Sequence, residues 1–200
     1  MKTKNKIWIY SLAIMGVLLI FTNSCKKDEK SEKNDDPPPT ILAIGDNYQG
    51  GIIAYILQTG DPGYDTSVQH GLIAASFDQS STGIQWYNGN IVATGATATA
   101  LGTGNANTNA IVSIQGAGNY AAKCCYDLEL NSYSSWYLPS IDELNKLYLN
   151  KTAIGGFTSG GYWSSSEYDD NYAWLQGFNN GWKQYNGKHL NYKVRAVRTF

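Results

Sequence analysis

Cysteine, histidine and early basic charge are what this chain has least of. Its 200 residues include three cysteines, two of them the neighbours Cys124 and Cys125, and only two histidines, His70 and His189. A vicinal disulfide needs a strained ring, so no disulfide framework can be read from these cysteines. No Gly-x-Ser-x-Gly elbow or His-Glu-x-x-His pair occurs, and a Cys-His nucleophile would have to use Cys124 or Cys125, whose spacing with Ala121 and Leu128 reads as a buried helix face. Residues 41 to 122 carry no Lys or Arg, and residues 41 to 200 hold 8 basic against 11 acidic side chains. Such a balance offers no electrostatic footprint for DNA or RNA. The apolar run from Ile7 to Phe21 falls short of the roughly 20 residues of a membrane-spanning helix. No internal repeat of solenoid period is evident.

The first forty residues carry an address instead. Lys2, Lys4 and Lys6 precede the apolar run, and small polar residues lead to Cys25, the layout of a secretory signal over residues 1–24. "TNSC" resembles a signal-peptidase II lipobox in Ser24 and Cys25 and departs from it at Thr22, where Leu is usual. Two outcomes stay open, a cleaved signal peptide or a lipidated Cys25. Residues 25–40, "CKKDEKSEKNDDPPPT", are charged and end in prolines, so they cannot bury surface and read as a solvated tether. "KKDE" resembles the surface-export signal of Bacteroidota lipoproteins, although a plain solvating linker has the same composition. Both readings put the domain outside the cytoplasm, and the expected location is that of an outer-membrane lipoprotein at the cell surface, held by palmitate on Cys25.

Residues 41–200 suit one domain. "GGIIAYIL" and "HGLIAAS" read as paired strands, and the Ala, Thr and Gly rich stretch before Asn105 as a covering loop. From "NTNAIVSI" to "LEL" the period is helical, with a break at 116 to 119. In "LPSIDELNKLYL", Ser140 and Glu143 form a capping box, Asp142 and Glu143 favour the positive helix N-terminus, and Ile141, Leu144, Leu147 and Tyr148 make one apolar stripe. After Gly160 strand-like runs alternate with Asn180-Gly181 and Asn186-Gly187, which read as type I′ hairpin turns. Period two puts Tyr172, Trp174, Gln176 and Phe178 on one face, and "LNYKVRAVRTF" reads as a final strand. The fold class is α+β, with two or more helices on small antiparallel sheets and a C-terminal meander.

"WYLPSIDELNKLY", "YWSSSEY", "NG" and the closing "VRAVR", with "GIIAYIL", "HGLIAA", "GIQW" and "AAK" before them, are similar to the C-terminal domain of the Legionella collagen-like adhesin family, from about Gly45 onward. That resemblance implies a C-type lectin-like fold related to the formylglycine-generating enzyme domain. It also implies chain ends brought together and ligands held by loops near the C-terminal hairpins. The reactive cysteine pair of the formylglycine branch has no counterpart near this C-terminus. Binding of sulfated glycans, the activity of the founding adhesin, needs clustered cations, and here only Lys193 and Arg195 share a face of the last strand while Arg198 lies on the other.

Between residues 162 and 187 eight Trp, Tyr or Phe residues lie among Ser, Asn, Gln and Gly, in what reads as exposed hairpins. Trp174, Trp182 and Tyr185, with Trp163 beside them, could offer flat apolar faces, and Asn179, Asn180, Gln184 and Asn186 amide donors and acceptors. The same rings could fill the core of a domain poor in Leu. The expected role is a surface-anchored ligand-binding or adhesion domain for a glycan or a surface protein, without catalysis or cofactor. Alternatives are an assembly subunit of a surface complex and a glycan-active enzyme using two distant carboxylates. Glu167, Asp169, Asp170 and Asn171 could supply oxygens to Ca2+, without the alternation of a known calcium loop. Replacing Cys25 by Ser is expected to abolish incorporation of labelled palmitate into the full-length chain, and undiminished labelling would remove the anchor at this position.

Overall fold

The computed structural model describes residues 41–80 and 82–200. The expected signal peptide and tether, with Cys25, lie outside them. In chain order the elements are β1 (Asn47–Tyr48), β2 (Gly51–Ile56), β3 (Gly71–Ala74), α1 (Gly104–Gln115), α2 (Ala121–Tyr126), α3 (Ile141–Leu149), α4 (Lys151–Ile154), β4 (Gly161–Glu167), β5 (Tyr172–Gly177), β6 (Lys183–Gly187) and β7 (Val197–Thr199). They form two antiparallel sheets, β1-β2-β3-β7 and β4-β5-β6. The α+β expectation holds at this level. Leu42 N–H donates to Gln69 Oε1 and Gly71 N–H to Phe200 O, so both ends of the domain meet beside residues 69–71.

The strands β2 and β3 of the first sheet and β4 of the second are covered on two sides. Leu72 and Ala74 of β3 join one core cluster, with Ile141, Leu144 and Leu147 of α3, whereas Ile73 joins another, with Trp86, Ile111 and Cys125. In the second sheet Tyr162 belongs to the first cluster and Trp163, Ala173 and Leu175 to the other. Strands buried on both faces lose the alternation of half-exposed strands. That is why all seven residues of β4 are buried, including Ser164, Ser165 and Ser166, in a stretch the sequence suggests is an exposed hairpin. Three fully buried tryptophans each donate the indole N–H to a backbone carbonyl: Trp86 to Ser164 of β4 at 2.8 Å, Trp136 to Tyr133 at 3.0 Å and Trp163 to Ile84 at 2.9 Å. Each ring fills the core while its polar edge is satisfied by the backbone, and those of Trp136 and Trp163 pin segments outside the strands and helices. Cys125 is buried in the same core and Cys124 half-buried.

The capping box forms as the sequence predicts. Ser140 accepts from Glu143 N–H at 3.3 Å, and Glu143 Oε2 accepts from Ser140 N–H at 2.8 Å. The final strand is shorter than expected. Tyr192 pairs with Ile84 and Lys193 with Tyr162, whereas Val197–Thr199 pair with β3, so residues 194 to 196 cross between partners and only 197–199 form a strand. The crossing is held by Arg195, which is fully buried. Its Nε and Nη2 donate to Asp78 Oδ1 at 2.9 and 2.7 Å, and its Nη atoms reach the carbonyls of Ala75 and Gly156 at 3.0 and 2.7 Å. The guanidinium also lies 4.1 Å from the Phe157 ring centroid. Asp78→Ala would leave that cation buried without a counter-charge. A loss of about 3–5 kcal/mol in unfolding free energy is expected by urea denaturation. A loss below about 1 kcal/mol, the scale of a surface pair, would show that the carbonyls alone suffice.

Candidate functional site

The β5-β6 register decides which of the predicted binding residues can act together. Trp174 lies opposite Tyr185, Leu175 opposite Gln184 and Ala173 opposite Asn186. Directly paired residues share a face, so Trp174 and Tyr185 stand on one side of the sheet, and Gln184 and Asn186 on the other with Leu175 and Ala173. Trp182 belongs to this second side, because its indole packs against Gly177, where an added Cβ would sit 2.3 Å from the ring. Trp163 is sealed in the core. The aromatic set suggested by sequence is therefore divided between two faces. Asn186 is spent internally, donating to Tyr192 Oη at 2.7 Å. Asn179, Asn180 and Gln184 are exposed.

The turns differ from the expected pair. Of Asn180 and Gly181 only Gly181 has positive φ, 81°, and its N–H closes onto Gly177 O at 2.8 Å, which makes a wider loop than type I′. Asn186 and Gly187 are not a turn, since they pair with Ala173 and Tyr172 as the end of β6. The chain reverses one step later, where Leu190 N–H donates to Gly187 O at 3.0 Å. That shift carries Lys188 into the interior.

On the Trp174 face four aromatic side chains form a contiguous patch. Tyr168, next after β4, stacks on Tyr185 with centroids 3.8 Å apart and planes 7° from parallel. Tyr172 and Trp174 meet Tyr185 edge-on at 5.8 and 5.6 Å, and Trp174 meets Tyr168 at 5.7 Å. Tyr168, Tyr172 and Tyr185 stay 47%, 42% and 45% exposed. The neighbouring Tyr185 phenol raises the Tyr168 hydroxyl above the usual tyrosine value. Tyr168 is absent from the residues singled out by sequence, and its signal was the "EYDDNY" turn itself. Asp169 Oδ1 accepts from the N–H groups of Asn171 and Tyr172, both at 2.8 Å, so this side chain builds the turn that returns Tyr172 to Tyr168. Beside Tyr172 opens a cleft of about 110 Å³ bordered by Tyr87, Ile91, Asp170, Asn171 and His189.

Glu167 faces away from Asp169 and Asp170. It is 3% exposed, and its carboxylate takes the Lys188 ammonium at 2.6 Å, Thr94 N–H at 2.9 Å and Gly95 N–H at 2.9 Å. Lys188 Nζ also donates to Asp170 O at 3.0 Å and lies 4.6 Å from the Trp86 ring centroid. Among the described residues no three His, Cys, Asp or Glu side chains gather as a metal group. The predicted covering loop is docked by its backbone. Ala96 O accepts from Glu167 N–H at 2.8 Å, Ala98 O from Ser166 Oγ at 2.8 Å, and Ala100 O from Ser140 Oγ at 2.8 Å. Gly102 N–H donates to Glu143 Oε1 at 2.9 Å. Small side chains let these carbonyls approach the strand, which explains the Ala and Thr composition.

The cations of the C-terminal segment are also engaged. Arg195 holds Asp78, and Arg198 donates to Gln49 O at 2.8 Å. Lys193 donates to Ser159 O at 2.7 Å and Lys183 to Asp142 at 3.2 Å. Among the described residues no cluster of free cations faces the patch.

The chain belongs to the Lcl C-terminal domain family, whose model matches residues 77–198. The match leaves out β1, β2 and β3, which complete the first sheet. Membership points to an adhesin-like domain exposed at the cell surface. No curated protein matches the chain. Among the described residues no helix is long and apolar enough to cross a membrane.

Burial raises the Glu143 carboxyl above the usual glutamate value of 4.5, against the pull of the Ser140 and Gly102 N–H groups. A raised folded value means that this group's contribution is fully present below 4.5 and is lost as pH rises through the folded value. Above pH 4.5 the unfolding free energy of the unmodified protein should therefore fall more steeply with pH than that of Glu143→Gln. Parallel slopes in denaturant titrations would contradict it.

Proposed function

We infer that this chain is a surface-anchored adhesion lipoprotein that holds a glycan or a partner protein on the tyrosine-rich face of β4-β5-β6. The carrying observation is the stacked Tyr168–Tyr185 pair with Tyr172 and Trp174 against it, because a folded domain gains little from leaving such contiguous aromatic surface in water. The outer faces of these rings suit the C–H faces of a neutral sugar or the apolar part of a protein epitope. Family membership, the lipobox-like Cys25 and the charged tether support display at the outer membrane. A C-type lectin-like framework, with ligand loops near the last hairpins, is part of the same proposal. Engagement of Arg195, Arg198 and Lys193 argues against sulfated ligands. The role is binding without catalysis, since Glu143 and Glu167 both act as buried acceptors for structural donors. It takes no cofactor and no Ca2+, because Glu167 is already satisfied by an ammonium and backbone N–H groups.

A second reading, an assembly subunit, is favoured by the edge of β6. Gly177 N–H bonds to Trp182 O and Lys188 N–H to Asn171 O, so by antiparallel alternation Gln184 and Asn186 face β5. The N–H and C=O groups of Lys183 and Tyr185 then point outward, beside the patch, where another strand could pair.

The test is a glycan array and a surface-protein screen on soluble chain from Lys26 onward, with and without EDTA. Tyr185→Ala and Tyr168→Ala should each weaken binding about tenfold or more, about 1.4 kcal/mol, as aromatic anchors do. Full affinity in both variants would remove the patch from the function. An oligomer that ignores glycans and becomes monomeric in Tyr185→Pro would select the assembly reading.

A further inference from the structure

We propose that the cleft between α1 and the 130–136 loop is a separate site for one ring of a neutral sugar. It lies apart from the tyrosine patch, has about 310 Å³, and is lined by Asn105, Asn109, Tyr126, Ser135, Trp136 and Tyr137. That volume is at the small end of ligand clefts, which run from about 300 to 1,000 Å³, and fits one or two pyranose rings.

The lining selects the ligand by what it can and cannot satisfy. No Asp, Glu, Lys, Arg or His borders the cleft, so an anion or a cation would give up water without a counter-charge. Charges behind the lining are engaged elsewhere: Lys123 pairs with Asp127, Glu143 accepts from the Ser140 and Gly102 N–H groups, and Arg198 donates to Gln49. Four of the six residues bring exposed polar side chains, which does not suit an acyl chain. A polyhydroxyl ring matches both conditions. Asn105 and Asn109 are one helical turn apart, and Asn109 Nδ2 donates to Asn105 Oδ1 at 2.8 Å. That bond leaves the Asn105 amide as donor and Asn109 Oδ1 as acceptor, with no protein partner among the described residues. Reversing both amides exchanges the roles and keeps one donor and one acceptor. Neighbouring sugar hydroxyls, each donor and acceptor, complement that pair.

Tyr126 supplies the stacking surface, 48% exposed at the end of α2. Trp136 and Tyr137, 1% and 2% exposed, form a fixed wall, the indole already bonded to Tyr133 O. Ser135 completes the rim at φ 65°, following Asn131 and Ser132 at 52° and 67°. Three non-glycine residues in the left-handed region within five positions hold this loop in a conformation that local preference alone would not choose.

The test uses isotope-labelled soluble chain from Lys26 onward, titrated with the methyl glycosides of glucose, galactose, mannose and N-acetylglucosamine to about 10 mM, where weak single-ring binding is still visible. At least one should shift the side-chain amide signals of Asn105 and Asn109. The shifts should be lost in Asn109→Ala and in Tyr126→Ala, both exposed positions, and survive in Tyr185→Ala. Absence of shifts at Asn105 and Asn109 with all four sugars, or shifts that persist in Asn109→Ala, would overturn the site. Shifts confined to Tyr168, Tyr172 and Tyr185 would also overturn it, while supporting the tyrosine patch.

Discussion

The Glu167 carboxylate is the point on which the C-terminal half depends. It ends β4, faces inward, and collects one ammonium and two backbone N–H groups from segments distant in sequence. A buried carboxylate with one of these donors missing would cost several kcal/mol, so the partners are placed together or not at all. The consequence reaches the surface. With Glu167 fixed inward, the next residue, Tyr168, must turn outward, and the Asp169 turn brings Tyr172 back beside it. Lys188 fixes the opposite strand end by the same contact, since it bonds both Glu167 and Asp170 O. The exposed tyrosines are thus mounted on a buried ion pair, which restricts how far ligand contact can rearrange them.

The covering segment shows a second use of buried carboxylates. Its residues are too small to hold themselves by hydrophobic contact, and Glu167 at one end and Glu143 at the other take its N–H groups while serines of β4 and α3 reach its carbonyls. Glu143 serves two elements with one side chain, capping α3 through Ser140 N–H and docking the segment through Gly102 N–H. Gly104 makes that sharing feasible, because a Cβ there would sit 2.1 Å from Glu143 Oε2.

Local signals in the sequence were reliable where the structure is locally determined. The capping box, the paired strands around Ile53 and Ile73 and the break before α2 follow from neighbouring residues alone. What stayed hidden is what distant segments decide. "SSSE" reads as solvent-facing, yet its polar atoms are the partners of a segment some seventy residues earlier. Asn186-Gly187 has the composition of a tight turn, but turning there would hold Lys188 away from Glu167, and the buried ion pair overrides turn propensity. Arg195 reads as a surface cation on a strand and is instead a fully enclosed tie to Asp78. Period two did place Trp174 with Tyr172 on one face, but the register that brings Tyr185 alongside and sends Trp182 to the other side required the loop at Gly181.

These placements narrow the chemistry of any ligand. Cations that a composition count would offer to an acidic glycan are committed to Asp78, Gln49, Ser159, Asp142 and Glu167. The tyrosine patch and the cleft beside α1 are aromatic, amide and hydroxyl in character. Neutral surfaces of this kind discriminate by shape and by hydrogen-bond pattern, and a single contact of that type is weak. An adhesin-like protein exposed at a cell surface does not need one strong contact. Where several copies are displayed together, each contact raises the effective concentration of the next, so modest affinity per site can suffice. Rigid presentation of the rings limits the entropy lost per contact, which favours such weak, repeated contacts.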